Sequence, residues 1–172
     1  MLCVRNLLLH QLREVSLSSR PVKDIARNKR ARFDYNIEQT LEAGVSLVGS
    51  EVKTLRAGRA SIVEAFIEFD AERGGSAWLV HANIPKFPQA GPLNHEPDRK
   101  RRLLMSRREL DSWSRRAHEK GYSVIPLRLY FRGPWVKLEI GLGKGQKRYD
   151  KREKIREKTD RRETQRALRE RR

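Results

Sequence analysis

The stretch IPLRLYFRGPWVKLEIGL, residues 125–142, constrains the fold more than any other. Ile125, Leu127, Leu129 and Phe131 alternate with Pro126, Arg128 and Tyr130. After Arg132-Gly133-Pro134, Val136, Leu138, Ile140 and Leu142 alternate with Lys137, Glu139 and Gly141. Successive side chains of a strand point to opposite faces, so period two on both sides of a tight turn predicts two half-buried antiparallel strands. Their apolar face must be covered by the rest of the chain.

Other segments repeat the pattern. The odd positions from Tyr35 to Leu47 are Tyr, Ile, Gln, Leu, Ala, Val and Leu, which predicts a strand or a bent pair of strands, with Gly44 marking a bulge or sharp bend. Val63, Ala65, Ile67 and Phe69 alternate with Glu64, Phe66 and Glu68, and DAERGGS then reads as a hairpin loop leading into AWLVHANI. In GSEVKTLRAG, Val48, Val52 and Leu55 share one helical face, with Ser50 to cap the start and Gly58 to close the end. Ser106-x-x-Glu109 is a capping box for a second helix, which carries Leu110, Trp113 and Ala117 on one face and ends at Gly121. PKFPQAGPLNHEPDRKRR has four prolines and no steady period, and reads as a long ordered loop.

Five or six short strands with two or three small helices predict a mainly β fold. Closing the sheet removes exposed edges, so the expectation is a closed or partly open β-barrel of the oligonucleotide-binding type. The chain divides into an N-terminal extension (1–20), a barrel domain (21–145) and a basic C-terminal tail (146–172).

Charge narrows the function. The chain has 39 Lys and Arg against 22 Asp and Glu, a formal charge of +17. Such a field attracts polyanions, nucleic acid first and an anionic membrane second, because cations that neutralise phosphates release condensed counterions. No apolar run approaches the roughly 18 residues of a spanning helix. Residues 1–20 join Arg5 to Leu7-Leu8-Leu9, but His10, Gln11, Arg13 and Glu14 interrupt the run too soon for a secretory signal. The segment reads as a poorly ordered extension or an upstream start codon, against a short amphipathic helix or organellar presequence.

Enzyme chemistry finds little support. The single Cys3 has no partner, and His10, His81, His95 and His118 show no metal or catalytic spacing; His95-Glu96 is a loop dipeptide. Gly141-x-Gly143-x-Gly145 lacks the strand-loop-helix setting of a phosphate loop and reads as a flexible exit from the last strand. No catalytic residue, metal or cofactor is expected.

Basic clusters carry more: Asn28-Lys29-Arg30-Ala31-Arg32, the pair Lys53 and Arg56, and Arg99-Lys100-Arg101-Arg102 together suggest a phosphate-binding face. Beyond Tyr149 the tail's apolar side chains are Ile155, Ala167 and Leu168, too few to fold onto a core, while Glu157 and Arg161 have helical i,i+4 spacing. The tail is expected to be disordered alone and helical once phosphates neutralise it. Tyr149 suits stacking on an exposed base.

Together, NKRARFDYNIEQTLEAGVSLVGSEVKTLRAGRASI, NHEPDRKRRLLMSRREL, GYSVIPLRLYFRGPWVKLEIGLGKG and YDKR resemble, in order, the blocks of the SsrA-binding protein family, also called small protein B. The resemblance implies an oligonucleotide-binding-type barrel that is not an enzyme. It implies a cytoplasmic monomer that binds transfer-messenger RNA and delivers it to stalled ribosomes for trans-translation. The barrel would complete a transfer-RNA mimic, and the tail would probe the empty messenger channel and engage small-subunit ribosomal RNA at the decoding centre. It further implies an RNA face of Asn28, Lys29, Arg30, Glu42, Lys53, Arg56, Arg101, Arg102, Leu103 and Leu104. Glu42 would accept from base amino groups or 2′-hydroxyls, or orient neighbouring cations. The ribosome-binding residues would be Lys144, Gly145, Tyr149, Asp150, Lys151, Arg152, Ala167 and Leu168. Gln146 stands where the family usually has a basic residue. The alternative is a general single-strand RNA-binding or ribosome assembly factor.

Overall fold

The computed structural model describes residues 21–70 and 75–146. What the sequence suggests for residues 1–20, 71–74 and the tail from 147 onward, including Tyr149, Asp150, Lys151, Arg152, Ala167 and Leu168, lies outside the described residues.

The longest hairpin forms where the alternation is cleanest. β6 (Tyr122–Arg132) and β7 (Trp135–Gly145) pair antiparallel, with Arg132 opposite Trp135 across Gly133-Pro134. Gly133 has φ 59° at the first central position, the left-handed geometry that two-residue hairpins require there. β2 (Tyr35–Val45) pairs with the other edge of β7. β1 (Val22–Arg27) adds to β6. On the far side β5 (Arg101–Leu104), β4 (Ser76–Val80) and β3 (Phe66–Asp70) complete an antiparallel sheet in the order β1-β6-β7-β2-β5-β4-β3. β3 packs against β6 without pairing to it, so the sheet curls into a barrel that stays open along that seam.

Leu138, Ile140 and Leu142 of β7 form the inner core with Val124, Leu129 and Phe131 of β6, Ala43 of β2 and Leu79 of β4. Two helices cover it. In α3 (Arg107–His118) the expected capping box is present: the Glu109 N–H donates to Ser106 Oγ at 3.3 Å and the Ser106 N–H donates to Glu109 Oε2 at 2.9 Å. Its Leu110 and Trp113 are buried. The preceding α2 (Gly49–Arg56) buries Glu51, Thr54 and Leu55, whereas Val48 is exposed and Ser50 does not cap it. The start is held instead by Glu51, whose carboxylate accepts the Val48 N–H at 2.8 Å. Gly58, at φ 73°, closes the end.

Three further features differ from the sequence expectation. β1 and β5 are strands that periodicity does not reveal, one because its residues VKDIAR are mostly polar, the other because RRLL is only four residues long. The proline loop contains 3-10 turns at Pro88–Leu93, bent at Gly91. The glycine run is not a flexible exit, because Gly141, Gly143 and Gly145 all lie inside β7.

The glycines serve packing. Ladder irregularities occur between Ile37 and Gln39 in β2 and between Pro126 and Arg128 in β6. Each extra residue reverses which face the strand's side chains take. Ile37, Ile125 and Leu127 therefore leave the inner core and form a second, small cluster with Ala31 and Tyr35. Gly141 and Gly143 are the floor under it: a Cβ on Gly141 would lie 2.9 Å from Leu127 Cδ1, and one on Gly143 would lie 2.6 Å from the Asn36 carbonyl oxygen. This notch seats α1 (Ala31–Asp34), the turn that carries the basic residues after β1.

Candidate nucleic-acid interface

On the outer face of the sheet, Arg128, Tyr130 and Arg132 of β6 stand beside Lys137 and Glu139 of β7, which in turn neighbours Glu42 of β2. Glu42 is their hub. Tyr130 donates its hydroxyl to Glu42 Oε2, the Arg132 guanidinium donates to both carboxylate oxygens at 2.9 and 3.1 Å, and Lys137 Nζ lies 3.5 Å away. The Tyr130 ring carries the Arg128 guanidinium at 4.6 Å and that of Arg132 at 5.8 Å from its centre. Burial and the hydrogen bond to Glu42 push the Tyr130 phenol above its usual pKa, so it stays a donor. The geometry favours the second of the two roles open to Glu42: it orients cations.

The same face extends in both directions. Towards α1, Lys29 shares a hollow with Arg27, Arg32, Arg128 and Glu139. Towards β5, Glu42 and Lys137 line a hollow of about 470 Å³ with Arg102 and Leu104. Leu104 is 57% exposed and Trp135 61%, both apolar surfaces on which an unstacked base can lie. Arg30 is exposed and paired with Asp34 at 3.2 Å.

Several residues implied by resemblance sit elsewhere. Asn28 is buried: its Oδ1 accepts the Ala31 N–H at 3.0 Å and its Nδ2 donates to the Ile62 and Val63 carbonyls at 3.4 Å. It positions Lys29 and Arg30 rather than reaching outward. Leu103 is core. Arg101 is 0% exposed, donating to Glu51 at 2.8 Å and to the carbonyls of Ala82, Arg99 and Pro97. In this conformation both Arg101 and Leu103 are buried. Lys53 and Arg56 are exposed on α2. Lys53 lines a different hollow, beside Arg99 and not Glu42. Lys144 and Gly145 are exposed at the end of β7, with Lys144 Nζ 4.6 Å from the Tyr122 ring centre.

Arg128, Arg132, Lys137 and Trp135 were absent from the sequence-derived set. Their signal was there: they are the polar or outward partners of the apolar alternation that defines β6 and β7. His95 is buried, its Nε2 3.0 Å from the Ile84 carbonyl and its Nδ1 2.9 Å from Ser50 Oγ. A ring nitrogen facing a carbonyl carries a proton, and with Nδ1 against Ser50 Oγ both ring nitrogens are engaged within the fold. Among the described residues no group of three or more His, Cys, Asp or Glu side chains is placed to hold a metal ion. Among the described residues no helix is long and apolar enough to cross a membrane.

A family model described as SmpB protein matches residues 25–170. An SsrA-binding protein of Kineococcus radiotolerans is 50% identical over 149 residues, covering 87% of this chain and 94% of that protein. One from Bifidobacterium adolescentis is 50% identical over 147 residues, covering 86% and 91%. A solved chain described as "tmRNA-SmpB: a journey to the center of the bacterial ribosome" is 37% identical, with TM-score 0.60, covering 76% of this chain and 93% of that one.

Proposed function

The chain belongs to the SmpB protein family, and from that premise we propose that it binds transfer-messenger RNA and carries it to ribosomes for trans-translation. The observation that carries the reading is the continuous outer face from Lys29 through Arg128, Tyr130, Arg132, Glu42 and Lys137 to Arg102 and Leu104. It joins cations for phosphates to exposed apolar surface for unstacked bases, the combination that structured RNA with exposed loops demands. The contacts made by Glu42 fix the cations before RNA arrives, which lowers the ordering cost of binding.

The tail takes the second role. Residues 147–172 hold 13 of the 39 Lys and Arg but only six of the 22 acids. Such a segment cannot bury enough apolar surface to fold by itself and gains structure where phosphates surround it. On this reading Tyr149, Asp150, Lys151 and Arg152 engage small-subunit ribosomal RNA, Ala167 and Leu168 give the ribosome-bound helix its apolar pair, and Lys144 and Gly145 form the root. The work is done in the cytoplasm, where ribosomes stall.

Deleting residues 149–172 tests the division. Affinity for transfer-messenger RNA is expected to change less than about threefold, under 1 kcal/mol, while tagging on stalled ribosomes is lost. Tagging by the truncated protein would refute the assignment. A general single-strand binder would instead prefer unstructured RNA over the transfer-RNA-like domain at matched salt.

A further inference from the structure

β7 ends where the basic tail begins, and the last side chains of the barrel at that point are tied to one another. Tyr35 faces Gly145 across the β2–β7 ladder, and one step further the Gln146 N–H donates to the Asp34 carbonyl at 2.9 Å. Lys144 lies between Asn36 of β2 and Tyr122 of β6, in the alternation that carries Leu138, Ile140 and Leu142 into the core. Those three are buried, whereas Lys144 is exposed. Its Nζ stands 4.6 Å from the centre of the Tyr122 ring, and the Tyr122 hydroxyl donates to Glu38 Oε2 at 2.8 Å. Tyr122 packs on the inner core, so its ring is held from behind.

Glu38 reaches this place through the ladder irregularity in β2. It is the residue without a register partner in β7, between Ile37 opposite Gly143 and Gln39 opposite Leu142. An extra residue in one strand is released from the ladder and re-aims its side chain. With a carboxylate on the phenol and an ammonium over the ring, Glu38, Tyr122 and Lys144 link the ends of β2, β6 and β7. Tyr122 first, and then the charges of Glu38 and Glu119, push the Lys144 ammonium above the usual lysine pKa. Two carboxylates on that side repel phosphate, so the Lys144 charge serves the barrel end rather than an RNA strand.

We propose that Glu38 and Tyr122 are positioning residues for the tail: by holding Lys144 to the barrel they keep β7 paired to its last residue and fix the point from which Lys147 onward departs. The inference rests on the reading that the tail acts on the ribosome, and adds what aims it. A flexible segment that searches from a fixed root meets its site at an effective concentration set by its free length. Fraying of the root lengthens that free chain. It also leaves Gly145 and Gln146 to be ordered at the moment of binding, each at an entropic cost.

The test uses the full-length protein. Tyr122→Phe keeps the ring beside Lys144 and loses the bond to Glu38, and Glu38→Ala removes the carboxylate. Each is expected to slow tagging on stalled ribosomes about tenfold, the scale of ordering one further residue. Affinity for the isolated transfer-RNA-like domain should stay within about threefold of the unmodified protein. The double variant should lose no more than either single one, because both changes cut one link. Amide exchange at Gly145 and Gln146 should quicken in the variants while that at Leu138 and Ile140 does not; a purely structural role would move all four together. Unchanged tagging in both single variants, losses that multiply in the double variant, or RNA affinity that falls in step with tagging overturns the proposal. Deletion of residues 149–172 keeps the two readings apart. If the truncated protein still tags, the tail reading fails whatever Tyr122 does; if truncation abolishes tagging and Tyr122→Phe leaves it unchanged, the positioning role alone fails.

Discussion

Two glutamates of this chain are each surrounded by cations, and they do opposite work. Glu51 is fully buried and its partners Arg99 and Arg101 arrive from a loop and a strand some 50 residues away in sequence. Glu42 is partly exposed, and its partners Tyr130, Arg132 and Lys137 belong to the adjoining hairpin. In the buried cluster both arginines donate to the one carboxylate, and Arg101 also to the carbonyls of Ala82, Arg99 and Pro97, so the product is a joint between α2, the loop before β5 and the residues after β4. In the outer cluster the cations keep solvent-facing surface, and the product is a patch. The lesson is that a carboxylate–arginine pairing reads as stability or as recognition according to what surrounds it, not according to the residues.

The comparison breaks most easily at Glu51. Glu51→Ala leaves Arg101 charged, buried and uncompensated, so unfolding free energy from urea titration should fall by about 3–5 kcal/mol. A loss below about 1 kcal/mol, the scale of a surface pair, would mean that water reaches Arg101 and that the two clusters are alike.

Acid should expose the same difference. Burial by itself raises the Glu51 carboxyl pKa, but the hydrogen bonds from Arg99, the Val48 N–H and Arg101 outweigh it and hold the carboxyl below the ordinary glutamate value. A group depressed in the folded state contributes stability that is present above its unfolded pKa and lost as pH falls through the folded value. Stability of the native chain is expected to decline below about pH 4.5, and Glu51→Gln should flatten that part of the curve from a lower plateau. An identical acid profile in the variant would remove Glu51 from the account.

Tyr130→Phe probes the outer cluster without changing charge. Loss of a hydrogen bond to a carboxylate should cost about 1.5–3 kcal/mol at most, read by thermal melting, with a several-fold weaker hold on the transfer-RNA-like RNA because Glu42, which anchors Arg132 and Lys137, loses one of the bonds that fix it. Lys137→Gln sits at the small end: stability should move by less than about 0.5 kcal/mol, while the salt slope of RNA binding drops by about one. A larger stability loss at Lys137 than at Tyr130 would reverse the assignment of this face.

The sequence and the structure agree where local pattern suffices. The β6–β7 hairpin follows from alternation around a Gly-Pro turn, and α3 follows from Ser106, Glu109 and one apolar stripe. The basic residues of α1 and α2 were identifiable by type, and Glu42 by its motif. Which of them face outward was not. Asn28 and Arg101 read as RNA ligands because a linear string of polar residues carries no information about depth. Lys137 does not stand out in the sequence, because a single lysine between apolar neighbours looks like any strand's wet side.

What the sequence alone determined is the set of strands and helices long enough to show a period, the excess of positive charge, and its concentration after Gln146. Only tertiary structure decided the face of each residue around the ladder irregularities in β2 and β6. Leu127 and Leu129 are two apart and look equivalent, yet one covers the outer notch and the other fills the inner core. The same holds for the run of four residues Arg99 to Arg102, from half-buried clamp to fully buried core to exposed strand face. The reason is physical: period two holds only while the ladder is regular, and one inserted residue inverts it. The desolvation that separates a structural charge from a binding one depends on neighbours brought in from distant sequence.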